Sequence, residues 1–214
     1  MTPTEIETAA RNQYNAINDN FWSQAEILNL IWQACIELAG LTKCIERVYT
    51  TSTVASQQEY SYPTSAVSIK RITYDGKKLQ AITMREDDAI TGLNQATTDE
   101  GTPQYYAIWN DTIYLRPIPS AVGTLKIFTI NKPQQITTTS TIEVPDQFHM
   151  GLVDYILERM AAKDRQIDLA KYYHDLWEKT KVEAMKWHKR NKRGDSFASV
   201  QDEEQLNGSY LGLI

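Results

Sequence analysis

A chain of 214 residues can bury a sizeable core in one or two domains, and 42% hydrophobic with 23% charged residues is ordinary for a globular protein. The net charge of −5 argues against a protein that coats nucleic acid, because a phosphate-binding surface normally makes a domain basic, although local basic patches stay possible. The start, Met1-Thr2-Pro3-Thr4-Glu5, lacks a signal peptide's basic and apolar runs, and no stretch of about 18 apolar residues could span a membrane; the expectation is a chain made inside the cell with no membrane partner.

Thr2 as N-cap, Pro3 at the first helical position and Glu5 at the box position predict a helix from the second residue to about Ile17. Ser23 with Glu26 repeats the signal, and Trp22 and Ile27 sit where a hydrophobic staple would close over it. Ile27, Leu28, Ile31, Trp32, Cys35, Ile36 and Leu38 then recur at helical period up to Gly40, the expected end. Cys35 and Cys44 lack CxxC spacing, and Cys35 lies on the apolar side of this helix, so it reads as a reduced core thiol.

From about Arg47 the period changes to two. Val48 to Val54 is rich in β-branched residues, Tyr60 and Tyr62 lead into Pro63, and Val67 to Tyr74 carries substantial side chains on both faces. Asp75-Gly76 predicts a hairpin turn, with Lys77 to Ile82 returning as one strand. Met84 to Leu93 is acidic and weakly helical, and Asn94 to Gly101 reads as a polar loop. Tyr105 to Trp109 and Thr112 to Leu115 pair around Asn110-Asp111, and Leu125 to Ile130 completes a meander. Thr137 to Thr141 is a low-complexity linker, expected to be extended and exposed. Asp146 is placed to cap a helix bearing Met150, Val153, Ile156 and Met160, and a longer helix is predicted from Arg165 to Lys192. The fold class is therefore α+β: an α-helical bundle of N- and C-terminal helices (residues 1–46 and 145–193), an inserted antiparallel β-domain, sandwich or barrel-like (47–144), and an extended C-terminal arm (194–214).

Chemistry is sparse. His149, His174 and His188 show no paired-ligand spacing and read as structural or surface residues, so neither a metal nor a cofactor is expected. Asp87-Asp88 and Asp99-Glu100 lack a third acidic partner at recognisable spacing and read as solvated loop charge. No GxxxxGK[ST], GxGxxG or GxSxG occurs, and the expectation is a protein that is not an enzyme. Two segments invite a binding role. Lys186, Lys189, Arg190, Lys192 and Arg193 form the one clear basic cluster, either cations placed against a helix macrodipole or a contact for phosphates or an acidic protein surface. Leu206, Tyr210, Leu211, Leu213 and Ile214 give the terminus an apolar tip after a polar spacer, which either folds back on its own core or docks on a neighbour.

Three stretches resemble the head-to-tail connector (adaptor or neck-ring) proteins of tailed bacteriophages: the helix from Trp22 to Gly40, the run Ile113-Tyr114-Leu115-Arg116-Pro117-Ile118-Pro119 followed by Gly123 to Ile127, and Val144-Pro145-Asp146-Gln147-Phe148-His149 leading into Leu152-Val153-Asp154-Tyr155. The likeness covers most of residues 20 to 193. It implies a structural protein of the virion neck, synthesised in the host cytoplasm, that assembles as a homo-oligomeric, twelve-fold ring. That ring would join the capsid portal protein to a downstream tail or nozzle protein and let DNA pass without gripping it. In this family the C-terminal arm docks on the portal, which maps onto Phe197 through Ile214; the basic helix end would face the portal or the DNA lumen, and the β-domain the tail, fibres or a neighbouring ring. The alternative is a tail or fibre-anchoring protein whose β-domain binds a fibre or a glycan. A DNA-processing enzyme or nucleic-acid binder is a third class.

Overall fold

The computed structural model describes residues 1–17, 21–91 and 99–191. In chain order the elements are α1 (Pro3–Gln13), α2 (Gln24–Thr42), β1 (Glu46–Ser52), β2 (Glu59–Ser61), β3 (Ala66–Tyr74), β4 (Lys77–Lys78), β5 (Gln80–Ala81), α3 (Met84–Thr91), β6 (Glu100–Gly101), β7 (Tyr105–Trp109), β8 (Thr112–Arg116), β9 (Ile118–Pro119), β10 (Thr124–Asn131), α4 (His149–Lys163) and α5 (Ile167–Asn191). They divide into two compact units, one of Met1–Cys44 with the chain from Pro133 onward, the other of Ile45–Lys132. The expected C-terminal arm lies outside the described residues.

In the helical unit, Thr2 opens α1 as expected: its Oγ1 accepts from the Glu5 amide at 3.2 Å and its own amide donates to Glu5 Oε2 at 2.9 Å. The helix ends at Gln13, before Ile17, because the chain swings through Asn15 at φ 56° and Ala16 N–H turns back to the Arg11 carbonyl. Arg11 holds this corner, donating to Glu7 Oε1 at 2.9 Å and to the Trp22 carbonyl at 2.6 Å, while buried Glu7 also accepts from Gln24. Ser23 caps α2 through the Glu26 amide at 3.2 Å. The Glu26 carboxylate reaches Lys163 at the end of α4, whose ammonium also lies 4.4 Å and 4.2 Å from the Phe21 and Trp22 ring centres. Gly40 does not stop α2, which continues to Thr42 and closes at Lys43 in the left-handed region (φ 48°).

Asp146 makes no side-chain cap; it begins a single 3₁₀ turn, Asp146–Phe148, that runs into α4. The helices share one core in which Ile6, Ile27, Leu38, Leu152, Ile156 and Trp177 are fully or almost fully buried. Ile136, Ile142 and Val144 join it, so the stretch after the last strand packs with the helices. Thr137–Thr141 is not extended; Thr137 and Ser140 close a turn through their backbone and side chains. Cys35 is buried in this core as expected, and burial pushes its thiol up to about 12. A thiol-reactive dye at pH 8 should label Cys35 about a hundredfold or more slowly in folded than in urea-unfolded protein; similar rates in both states would contradict this packing.

The β unit holds two four-stranded sheets, β1-β10-β3-β4 and β2-β8-β7-β5, and the short pair β6-β9. Asp75-Gly76 (φ 46° and 80°) and Asn110-Asp111 (φ 44° and 59°) supply the left-handed residues that two-residue hairpins need. Ile72, Leu125 and Ile127 of the first sheet meet Tyr60, Tyr106, Ile113 and Leu115 of the second in one core. The sheets stay open, so the barrel-like alternative is corrected: no closed barrel forms among the described residues. Nor is the pairing wholly antiparallel, since β5-β7 and β6-β9 are short parallel pairs. Lys77 to Ile82 is not one strand: it breaks at buried Leu79, leaving β4 in the first sheet and β5 in the second.

At Gly151 α4 and α5 pack closely, and an added Cβ would collide with the Thr180 side chain. Gly151→Ala should lower stability by about 1–3 kcal/mol in urea unfolding, the usual cost of overpacking; an unchanged midpoint would mean the two helices separate freely there.

Candidate interaction surfaces

Side chains alternate across a strand, so with Tyr60, Tyr106, Ile113 and Leu115 turned inward, Glu59, Trp109, Tyr114 and Arg116 share the outer face of the second sheet. Helix α3 packs against β7. It begins with a capping box: the Glu86 amide donates to Thr83 Oγ1 at 3.2 Å and Glu86 Oε2 accepts from the Thr83 amide at 2.7 Å, which holds the Glu86 carboxyl below its ordinary range. One position on, Asp87 meets Arg116 in a two-point pair, Nε to Oδ1 at 2.7 Å and Nη2 to Oδ2 at 3.1 Å, with the two residues only 2% and 6% exposed. Gln58, with its amide oxygen turned to the guanidinium, accepts from Nη2 at 2.8 Å and Nη1 at 2.9 Å.

Beside this pair opens a cavity of about 510 Å³ lined by Gln58, Glu59, Met84, Asp87, Trp109, Tyr114 and Arg116. The Trp109 indole is 62% exposed. With Arg116 matched by Asp87, Glu59 is left as an exposed charge on the rim, making no ion pair among the described residues. Carboxylate, indole and phenol together suit a cationic or amphipathic group.

The outer face of the first sheet has the opposite character. With Tyr49, Ile72, Tyr74, Leu125 and Ile127 turned inward, two cross-strand rows face outward: Thr50, Lys126, Thr73 and Lys78, then Val48, Phe128 and Arg71. The Arg71 guanidinium lies 3.9 Å over the Phe128 ring, and Val48 is 53% exposed.

Of the residues singled out by sequence, Lys186, Lys189 and Arg190 lie exposed in the last turns of α5, at helical spacing that puts them on one side. Trp187 between them packs edge-on against Phe148, 5.9 Å between ring centres. Lys192, Arg193, Phe197, Leu206, Tyr210, Leu211, Leu213 and Ile214 lie outside the described residues. His149 is buried with Nε2 2.8 Å from the Val144 carbonyl; His174 sits half exposed between Glu158 and Glu178, and His188 is half-buried. No cluster of His, Cys, Asp and Glu able to hold a metal forms among the described residues, and no helix among them is long and apolar enough to cross a membrane.

Asp87 is not the solvated charge expected of it: it is buried and ion-paired. Glu100 lies in β6, paired with β9, and not in a loop. Thr83-x-x-Glu86 was the local signal for α3; nothing local joins Asp87 to Arg116, 29 positions away.

A family model described as SU10 adaptor protein matches residues 1–199 of the chain. No curated protein matches it.

Removing one partner of a buried ion pair strands the other, so Asp87→Ala should cost about 3–5 kcal/mol in equilibrium unfolding, and combining it with Arg116→Met should recover part of that loss. A double variant no more stable than Asp87→Ala would deny the pair its role in fixing α3.

Proposed function

The chain belongs to the SU10 adaptor protein family, a family of phage head-to-tail adaptors, and from that membership we propose that it forms a ring joining the capsid portal to the tail, through which DNA passes. The family match carries this reading. The fold supports it in one respect: α1, α2, α4 and α5, from both ends of the chain, share one core, while the β unit forms from a single continuous insertion. Such a chain offers a helical body for ring building and a separate module for further contacts.

In this reading the helices form a bundle that is the body of a twelve-fold ring matched to the portal. The arm of residues 194–214 attaches to the portal through Phe197, Leu206, Tyr210, Leu211, Leu213 and Ile214. Lys186, Lys189, Arg190, Lys192 and Arg193 contact the portal or line one level of the DNA passage, and the β unit meets the tail, a nozzle protein or fibres. The work is mechanical rather than catalytic. One modest contact repeated around a closed ring gives an assembly far more durable than any single contact, because once the ring has closed each further contact is intramolecular. A net charge of −5 suits a channel that must pass DNA without holding it.

Negative-stain microscopy of purified protein, alone and mixed with portal, should show rings that seat on the portal. Protein that stays monomeric and ignores the portal, yet binds a fibre, would replace this reading with the fibre-anchoring one. Deleting residues 197–214 should abolish portal attachment while leaving the melting transition of the body in place; attachment at wild-type level would refute the role given to the arm.

A further inference from the structure

We propose that copies of this chain join head to tail through their β units, the cationic outer face of the first sheet in one copy lying against the Glu59 and Trp109 face of the second sheet in the next. This deepens the ring reading above and rests on it, since it adds to the helical ring body a second contact, between the β units of neighbours.

The first observation is that charge is segregated within the β unit. The outward rows of its first sheet carry Arg71, Lys78 and Lys126, and the strands of that sheet hold one acid, Glu46. With the second sheet, β2 and α3 carry Glu59, Glu86 and Asp87, against Arg85 and an Arg116 already matched by Asp87. Arg71, Lys78, Lys126 and Glu59 make no ion pair among the described residues.

The second observation is geometric. The two sheets share one core, so their outer faces point in opposite directions. Neither face can meet its complement within its own β unit; a second copy supplies it. Because the two surfaces differ, the contact is heterologous, and heterologous contacts build rings or filaments rather than two-fold dimers.

The chemistry of the surfaces agrees. The middle of the first sheet's outer face presents Lys126 and Lys78 on either side of Thr73, and in the next row Arg71 stacked on Phe128 beside exposed Val48. The opposing face offers the cavity of about 510 Å³ where a guanidinium or ammonium would meet the Glu59 carboxylate and the face of Trp109. Aromatic and arginine side chains in a partly apolar setting are the residues that carry most binding energy in protein contacts. The apolar Val48 and Phe128 favour a protein occupant over a nucleic acid, since a phosphate backbone leaves apolar side chains uncovered.

The test uses full-length protein and two reversed variants, Arg71→Glu/Lys126→Glu and Glu59→Lys, each checked for a wild-type melting transition. Mass photometry and sedimentation should show wild-type oligomers that weaken in about 0.5 M salt, and each variant alone should need at least tenfold more protein to assemble. Mixing the two variants should restore assembly, because each reversed face then meets an oppositely charged one. Variants that assemble like wild type, or a mixture that fails to recover, would overturn the proposed faces while leaving the ring reading intact. Wild-type protein that never assembles, with or without portal, would overturn both. Reversal that abolishes binding of duplex DNA or of a glycan array but spares assembly would reassign the face to that ligand and also overturn the proposal.

Discussion

An inserted module must return the chain to the place where it left, and here one strand pair meets that requirement. β1 enters beside β10, the strand that leaves, with Glu46 opposite Ile130 and the Asn131 amide donating to the Ile45 carbonyl at 2.8 Å. A closed polar network fixes this junction. The Asn131 side-chain amide donates to Tyr49 Oη at 2.6 Å and Ser65 Oγ at 2.8 Å, and its oxygen accepts from Thr129 at 2.5 Å. Each of these half-buried or buried groups finds a partner, so the register is specified where β10 carries an irregularity between Ile130 and Asn131. With the ends of the insertion held together, helices from both ends of the chain can share a core as though the intervening residues were one long loop.

Net charge hides how the β unit is built. Cations cluster on the outer face of its first sheet, so a protein of −5 overall still presents a face dominated by cations. Charge composition speaks to solubility and long-range repulsion. It does not say which side chains the fold will gather, and here β-sheet register does the gathering, placing residues 71, 78 and 126 on one surface.

What could be read beforehand was whatever the chain encodes locally. Thr2 and Ser23 cap helices because their hydroxyls meet amides three residues on, and Asp75-Gly76 and Asn110-Asp111 turn because their own backbones tolerate positive φ. The misreadings involve partners distant in sequence. Leu79 breaks an apparent strand because it belongs to a core shared by two sheets, and Asp87 is buried only because Arg116 arrives beside it. Ile136, Ile142 and Val144, which follow the last strand, likewise take their partners from far along the chain, in the helical core. Gly40 failed as a helix stop because Lys43 could take the left-handed conformation instead. The Trp109 cavity had no signature at all, being assembled from β2, α3, β7 and β8.

The place of β10 in its sheet also sets a timetable. Among the described strands it is the last to leave the ribosome, yet it lies between β1 and β3 and pairs with both. Until it emerges, each of those strands presents an unpaired edge, and the helical core likewise waits for α4 and α5 to cover α1 and α2. The β unit cannot close until Asn131 has been made, nor the helical core until α5 has. Each unit therefore waits for its own last element, and until then the nascent protein must keep sticky edges and apolar helix faces apart. That interval is when one nascent chain is most exposed to pairing with the next.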